Sequence, residues 1–209
     1  IILKFQCFMK KIDKIIVGTH NNGKFKEICD LLPANITKIS PKDLNLPSPN
    51  EIGSTFKENS KIKAEYFAKK ANLIAISDDS GLMIDLLSDA PGIYSSRWAG
   101  PTNDFNVAIE KVYNELKKVE FERNKRKEIV AKFISCLTVC WPNGKFISST
   151  GIVEGRISKI KKGTNGFGYD PIFIPHGYNK TFGELKPQEK LKIDHRSKAF
   201  SKISNLFIN

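Results

Sequence analysis

The sequence predicts a mixed α/β fold, in which one β-sheet carries flanking helices and a second lobe grows from the middle of the chain. Three observations carry that reading: a strand–turn–helix opening, a second buried strand after a further helix, and a β-hairpin in the second half. Strand–helix alternation favours parallel pairing with helices on the faces, and a hairpin adds antiparallel strands. A length of 209 residues suits one large domain or two tightly joined lobes.

The opening run Lys14-Ile15-Ile16-Val17-Gly18 is β-branched and meets a polar turn, so it reads as a buried strand. Beyond the turn, Phe25, Ile28, Cys29 and Leu32 recur at the spacing of one helix face, and Pro33 closes that helix. Residues 36–53 hold prolines and a glycine among polar residues and read as a loop. Thr55 and Glu58 have capping-box spacing, and Phe56, Ala64, Phe67, Ala68 and Ala71 supply the apolar face of a second helix. Leu73-Ile74-Ala75-Ile76-Ser77 predicts a second strand that ends at Asp78-Asp79-Ser80-Gly81. A third helix is expected over about 104–118, on Phe105, Ile109, Val112 and Leu116. Residues 130–141 read as a strand, Pro142-Asn143-Gly144 as a hairpin turn, and 145–153 as the returning strand. A last helix is expected over 197–207, with Phe200, Ile203 and Phe207 inward.

Composition narrows the function. No apolar run reaches the ~20 residues of a membrane span, and residues 1–8 have neither the basic lead nor the cleavage site of a signal peptide. Met9-Lys10-Lys11 resembles a natural start, so residues 1–8 read as a disordered extension and 9–209 as a single two-lobed domain. Cys7, Cys29, Cys136 and Cys140 form no CxxC pair. Cys136 and Cys140 would lie on one strand, about 13 Å apart, too far to bridge. Such usage suits a reducing cytoplasm, and the scattered His20, His176 and His195 give no zinc spacing. The net charge of +12 raises nucleic-acid binding as an alternative. Much of the surplus, however, is lysine on solvated helix faces, and a small polyanionic substrate would gain from the same field.

Four clusters carry candidate chemistry. The turn Thr19-His20-Asn21-Asn22-Gly23-Lys24 offers backbone N–H groups at a helix N-terminus, short neutral donors and a mobile cation, which together suit a phosphate. It lacks the GxxxxGK[ST] spacing of a Walker A loop. Asp78 and Asp79 would project to opposite sides of a strand, so one can face a metal or a water while the other fixes the turn. Mg²⁺ takes one or two carboxylates plus substrate phosphates, and Glu51 could supply the other acid. Gly163-Thr164-Asn165-Gly166-Phe167-Gly168-Tyr169-Asp170-Pro171 describes a tight loop beside something flat, with Phe167 able to stack on a base and Asp170 to hydrogen-bond it. Lys190, His195 and Arg196 can donate to a carbonyl on a base edge.

Taken in order, THNNGK, EIGSTFKEN, SDDSGL, APGIYSSRWAG, GFGYDPIF and ELKPQEK…HRSKAF resemble the inosine triphosphate pyrophosphatase family over residues 14–207. The resemblance implies an elongated mixed sheet with two lobes around a central cleft, a homodimer, and Mg²⁺-dependent hydrolysis of ITP, dITP or XTP to the monophosphate and pyrophosphate. It assigns Thr19 through Lys24 to the triphosphate and Ser80 to a substrate contact. Glu51 and Asp79 become the metal acids, with Asp79 also the proton acceptor. Phe167, Gly168, Tyr169 and Asp170 become the base pocket, completed by Lys190, His195 and Arg196. His20 stands where that family often has a small residue, and residues 1–8 have no counterpart. A related pyrophosphatase acting on pyrimidine or modified nucleotides is the nearer alternative, and the loop at 166–171 argues against it.

Overall fold

The computed structural model describes residues 12–123 and 128–207; the extension expected at residues 1–8 lies outside them. Six strands form one sheet in the order β2-β1-β3-β4-β5-β6. β1 (Lys14–Val17), β2 (Thr37–Ile39) and β3 (Ala75–Ile84) pair in parallel. From β3 onward, β4 (Val130–Cys140), β5 (Phe146–Ile157) and β6 (Phe173–Pro175) run antiparallel. The mixed sheet read from the sequence is therefore present. The helices are α1 (Asn22–Leu31), α2 (Phe56–Ala71), α3 (Phe105–Arg123), α4 (Pro187–Leu191) and α5 (His195–Ser201).

Local chemistry sets the element ends that matter for the site. Asn21 caps α1, its side chain accepting from the Lys24 amide at 2.9 Å, which fixes the turn against the helix N-terminus. Thr55 caps α2 by accepting from the Glu58 amide at 3.1 Å. The Glu58 carboxylate, however, reaches one residue further back, to the Ser54 amide at 2.7 Å.

β3 corrects the expected strand end. It continues through Asp78-Asp79-Ser80-Gly81 to Ile84, paired residue for residue with β4 from Ala75↔Cys140 to Ile84↔Ala131. Aspartate, serine and glycine favour turns in isolation. Here a continuous ladder to the apolar β4 holds them extended, and their side chains find partners on both sides of the sheet. Ile76 belongs to a core cluster with α1, β1 and α5, whereas Leu82 and Ile84 belong to another with α3, β5 and β6. The acids thus occupy the polar middle of a long strand, between two cores. A third cluster joins α2 to β1 and β3.

The closing helix also differs from expectation: α5 starts at His195 and ends at Ser201, and a separate 3-10 turn covers Ser204–Leu206. α5 lies on β5 where Gly151 has no side chain. A Cβ there would sit 2.1 Å from His195 O and 2.3 Å from Ala199 N, so this close approach places His195 and Arg196 over the sheet.

Candidate functional site

The middle of β3 divides its acids as strand geometry requires. On one face, Asp78 is fully buried. It pairs with Lys24 Nζ at 3.1 Å and Arg196 Nη2 at 3.3 Å and accepts from Ser135 Oγ at 2.5 Å and Ser80 Oγ at 2.8 Å. Burial would raise its pKa, but Lys24 and Arg196 outweigh that and hold the carboxyl well below the usual carboxylate range. On the other face, Asp79 Oδ1 lies 3.5 Å from Lys63 Nζ, which also meets Glu51 Oε1 at 2.5 Å. Asp79 Oδ2 is buried without a partner. Burial pushes the Asp79 pKa up, against the opposing pull of Lys63.

The polar turn meets this strand through Lys24. Thr19 Oγ1 accepts from the Asn21 amide at 3.2 Å, and Asn22 Oδ1 accepts from Lys42 Nζ at 3.0 Å. His20 stands apart from its neighbours: Nε2 lies 3.0 Å from Leu46 O and Nδ1 2.7 Å from Ser48 Oγ. Its ring nitrogens thus face a loop and not the rest of the turn.

The aromatic–glycine loop closes over the turn. Gly23 meets Phe167, whose ring is flanked by Lys190 Nζ at 5.2 Å and Arg196 Cζ at 5.3 Å from its centroid. Gly166 adopts φ +73°, and a Cβ there would fall 2.0 Å from Asp170 Oδ2, so glycine is required on both counts. The sequence makes Asp170 a candidate base contact. In the structure its Oδ2 accepts from the Phe167 amide at 2.8 Å and from Lys190 Nζ at 2.7 Å, which fixes the loop and the lysine. Tyr169 is likewise engaged elsewhere: its hydroxyl donates to Ser95 O at 2.8 Å and its ring meets Phe105 edge-on.

Glu27, on α1, was not found by sequence reasoning. It joins two buried cations, accepting from Lys190 Nζ at 2.7 Å and Arg196 Nη1 at 2.6 Å. One turn after Lys24 on the same helix face, it carried a spacing signal. Lys63 was missed too, although a lysine at i+7 from Phe56 and i−4 from Phe67, on the inward face of α2, is itself a signal. An ion-paired chain therefore runs from Lys24 through Asp78, Arg196, Glu27 and Lys190 to Asp170. His195 stacks on Phe133 at 4.8 Å and 10°. Burial, then Arg196 and Lys190, hold its pKa well below 6.5, so the imidazole is neutral.

A narrow cleft of about 50 Å³ is lined by Asn21, Lys24, Ser80, Phe167, His195 and Arg196 among others. A larger cavity of about 330 Å³ lies between Lys132, Glu154, Arg156 and His176. It contains none of the motif residues, so the chemistry and the larger volume are in different places.

Fold and site together define an α/β protein in which a cation-bearing turn and an aromatic–glycine loop meet at one cleft, beside a strand that carries buried acids on both its faces. The sequence model of the Ham1 family matches residues 15–206. The dITP/XTP pyrophosphatase of Zymomonas mobilis is 41% identical over 191 residues, covering 91% of this chain and 90% of that protein. That of Caulobacter vibrioides is 43% identical over 190 residues, covering 91% and 95%. A solved Ham1 protein from Coxiella burnetii superposes with a TM-score of 0.81 at 36% identity, covering 92% of this chain and 97% of that one. The chain belongs to the Ham1 family.

Proposed function

We propose that this protein hydrolyses non-canonical purine nucleoside triphosphates (ITP, dITP and XTP) to the nucleoside monophosphate and pyrophosphate, clearing them from the nucleotide pool. The observation that carries the reading is the ion-paired chain from Lys24 to Asp170, which links the phosphate turn to the aromatic–glycine loop. The names of relatives at 41–43% identity support it.

In this reading Thr19, Asn21, Asn22, Gly23 and Lys24 hold the triphosphate through backbone N–H groups and one cation, and Ser80 contacts the substrate. Glu51 and Asp79 fit a Mg²⁺ site: two hard carboxylates converge on one ammonium, and the unpartnered Asp79 Oδ2 faces no competing donor. When bound, the ion would polarise phosphoryl oxygens and offset charge in the transition state. Water adds to phosphorus, the α–β anhydride bond breaks, and pyrophosphate leaves. Asp79 takes the proton of the water, and its burial suits that task. Lys24 and the helix N–H groups stabilise the developing charge.

Selection rests on donors. A 6-oxo purine presents an acceptor where adenine has an amino donor, and Lys190 and Arg196 are the cations nearest Phe167. Arg196 Nε is buried without a partner, so donor capacity remains beside the loop. An adenine amino group would leave such donors unpaired. Phe167 supplies the stacking face, with Gly168, Tyr169 and Asp170 shaping its loop.

We further read residues 9–209 as one domain whose two large core clusters form the lobes around the cleft. A homodimer rests on the family resemblance, and light scattering giving twice the chain mass would support it. A cytoplasmic setting rests on the unpaired Cys29, Cys136 and Cys140. Among the described residues no helix is long and apolar enough to cross a membrane.

The test is pyrophosphate release from ITP, XTP, dITP, GTP, ATP and dTTP, with and without Mg²⁺. Preferred release from the first three, dependent on the metal, is expected. Preference for dTTP would favour the pyrimidine alternative. No release from any nucleotide, with steeply salt-dependent binding to DNA or RNA, would overturn the enzyme reading.

A further inference from the structure

Glu51 lies in a stretch that cannot brace itself. Between the 3-10 turn Pro41–Leu44 and α2, no strand or helix forms, and Pro47 and Pro49 have no amide hydrogen to donate. Ile52, next to Glu51, is 85% exposed, so apolar packing does not anchor that point. Leu46 packs against the cluster that joins α2 to β1 and β3; beyond it, polar ties hold the loop. Arg97 Nη2 donates to Glu51 O at 3.2 Å, and the Gly53 amide donates to Asn59 Oδ1 at 2.8 Å. On the N-terminal side, the ties come from the phosphate turn itself, through His20 to Leu46 and Ser48.

The chemistry of those two contacts fixes the ring. A carbonyl oxygen only accepts, so His20 Nε2 carries a proton and donates it to Leu46 O. The Nδ1 lone pair then accepts from the Ser48 hydroxyl. Phe67 of α2 stands behind the ring, with centroids 6.1 Å apart. Both nitrogens of one residue therefore grip a three-residue segment that ends three residues before Glu51.

We propose that His20 is a positioning residue, which fastens the loop at Leu46–Ser48 to the phosphate turn and so holds Glu51 opposite Asp79. The inference rests on reading Glu51 and Asp79 as metal acids. It gives the one unusual residue of the phosphate turn a task directed at the metal and not at phosphate.

The test uses the full chain and Mg²⁺ as the probe. In His20→Ala the Mg²⁺ concentration for half-maximal pyrophosphate release should rise about 5- to 30-fold, the loss of one to two hydrogen bonds. The kcat at saturating Mg²⁺ should stay within about twofold. His20→Gln, which can still donate to Leu46 O, should recover part of the shift. Ser48→Ala should give a smaller rise, and the double variant should be no worse than His20→Ala, because the two share a contact. Independently of turnover, amide hydrogen exchange at residues 44–53 of the metal-free protein should be faster in His20→Ala.

Unchanged exchange together with an unchanged metal requirement overturns the proposal. Faster exchange with an unchanged metal requirement overturns the link to Glu51. Should His20→Ala not fold, Ser48→Ala, a change at an exposed side chain, carries the same two measurements. If wild-type turnover ignores Mg²⁺, the metal reading is what fails, and the exchange experiment still decides whether His20 fastens the loop.

Discussion

Replacing Gly23 with alanine should separate activity from stability. A Cβ at Gly23 would lie 2.4 Å from Cδ1, 2.6 Å from Cγ and 2.8 Å from Cε1 of Phe167. Carbon atoms settle at about 3.5–4.0 Å, so the ring must retreat by roughly 1 Å. It cannot retreat freely, because Lys190 and Arg196 flank it and its amide is tied to Asp170. Weakening two cation–π contacts costs about 0.5–2 kcal/mol each, while alanine for glycine in the first turn returns up to about 1 kcal/mol of helix propensity. Net stability should therefore fall by about 0–3 kcal/mol in urea titrations. A stacking ring displaced by about 1 Å should lower kcat/KM for dITP by ~10- to 100-fold. In a Phe167→Ala background the same Gly23→Ala change should cost almost nothing further. A Gly23→Ala enzyme with kcat/KM within twofold of wild type would refute the idea that Phe167 works from its seat on the phosphate turn.

Three more expectations follow from the buried charges. Glu27→Gln removes the shared anion of Lys190 and Arg196 and should lower stability by about 3 kcal/mol, read from the urea midpoint; a loss below about 1 kcal/mol would show that Asp78 and Asp170 suffice. Acidification should destabilise the fold in two stages. His195 has a folded pKa well below 6.5, so below about pH 6.5 the unfolded chain takes a proton that the native state refuses, costing up to about 1.4 kcal/mol per pH unit. Asp78 and Glu27 are depressed in the fold, because their cations outweigh burial, so their contribution is present above about pH 4–4.5 and is lost as pH falls further. His195→Phe should abolish the first stage in a stability–pH profile, and a slope that persists would place it elsewhere. Lys63→Met leaves Glu51 and Asp79 facing each other without their cation, so added Mg²⁺ should raise its melting temperature more than that of wild type; equal increments would show that the ammonium and the ion occupy different places.

The sequence made some parts of this molecule legible because their cause is local. Asn21 and Thr55 are helix caps, and a cap is decided within four residues. The hairpin of β4 and β5 follows from Pro142-Asn143-Gly144 and two apolar runs. What escaped was decided at long range. Asp78-Asp79-Ser80-Gly81 reads as a turn on propensity, and only the ladder to residues 134–137 makes it strand. Thr37–Ile39 and Phe173–Pro175 are three-residue strands at the two sheet edges, too short for periodicity to declare. Within the site, the motifs did not show the partners of Asp170 and Tyr169, because which atom each would meet depends on Lys190 and Ser95, away from them in the chain. Glu27 and Lys63 escaped for the complementary reason: each looks like an ordinary helix charge until the facing element is known.

The charge balance of the cleft bears on the net charge of +12. In the ion-paired array, Lys24, Lys63, Lys190 and Arg196 face Glu27, Glu51, Asp78, Asp79 and Asp170. Four cations meet five carboxyl groups, so the basic surplus of the chain does not reside among these residues. Lys42 reaches Asn22 of the turn at 3.0 Å, but exposed lysines away from the cleft act on a triphosphate from a distance, where salt screens them within about 10 Å at 0.1 M. They can raise the encounter rate but cannot neutralise a bound polyanion. Beyond what Lys24 supplies, that neutralisation must come from backbone N–H groups and from positive charge arriving with the substrate, a requirement that a divalent cation held by Glu51 and Asp79 would meet. Raising ionic strength should therefore lower kcat/KM while leaving kcat at saturating nucleotide and Mg²⁺ nearly unchanged. A parallel fall in kcat would mean that the exposed lysines contribute to the chemical step itself.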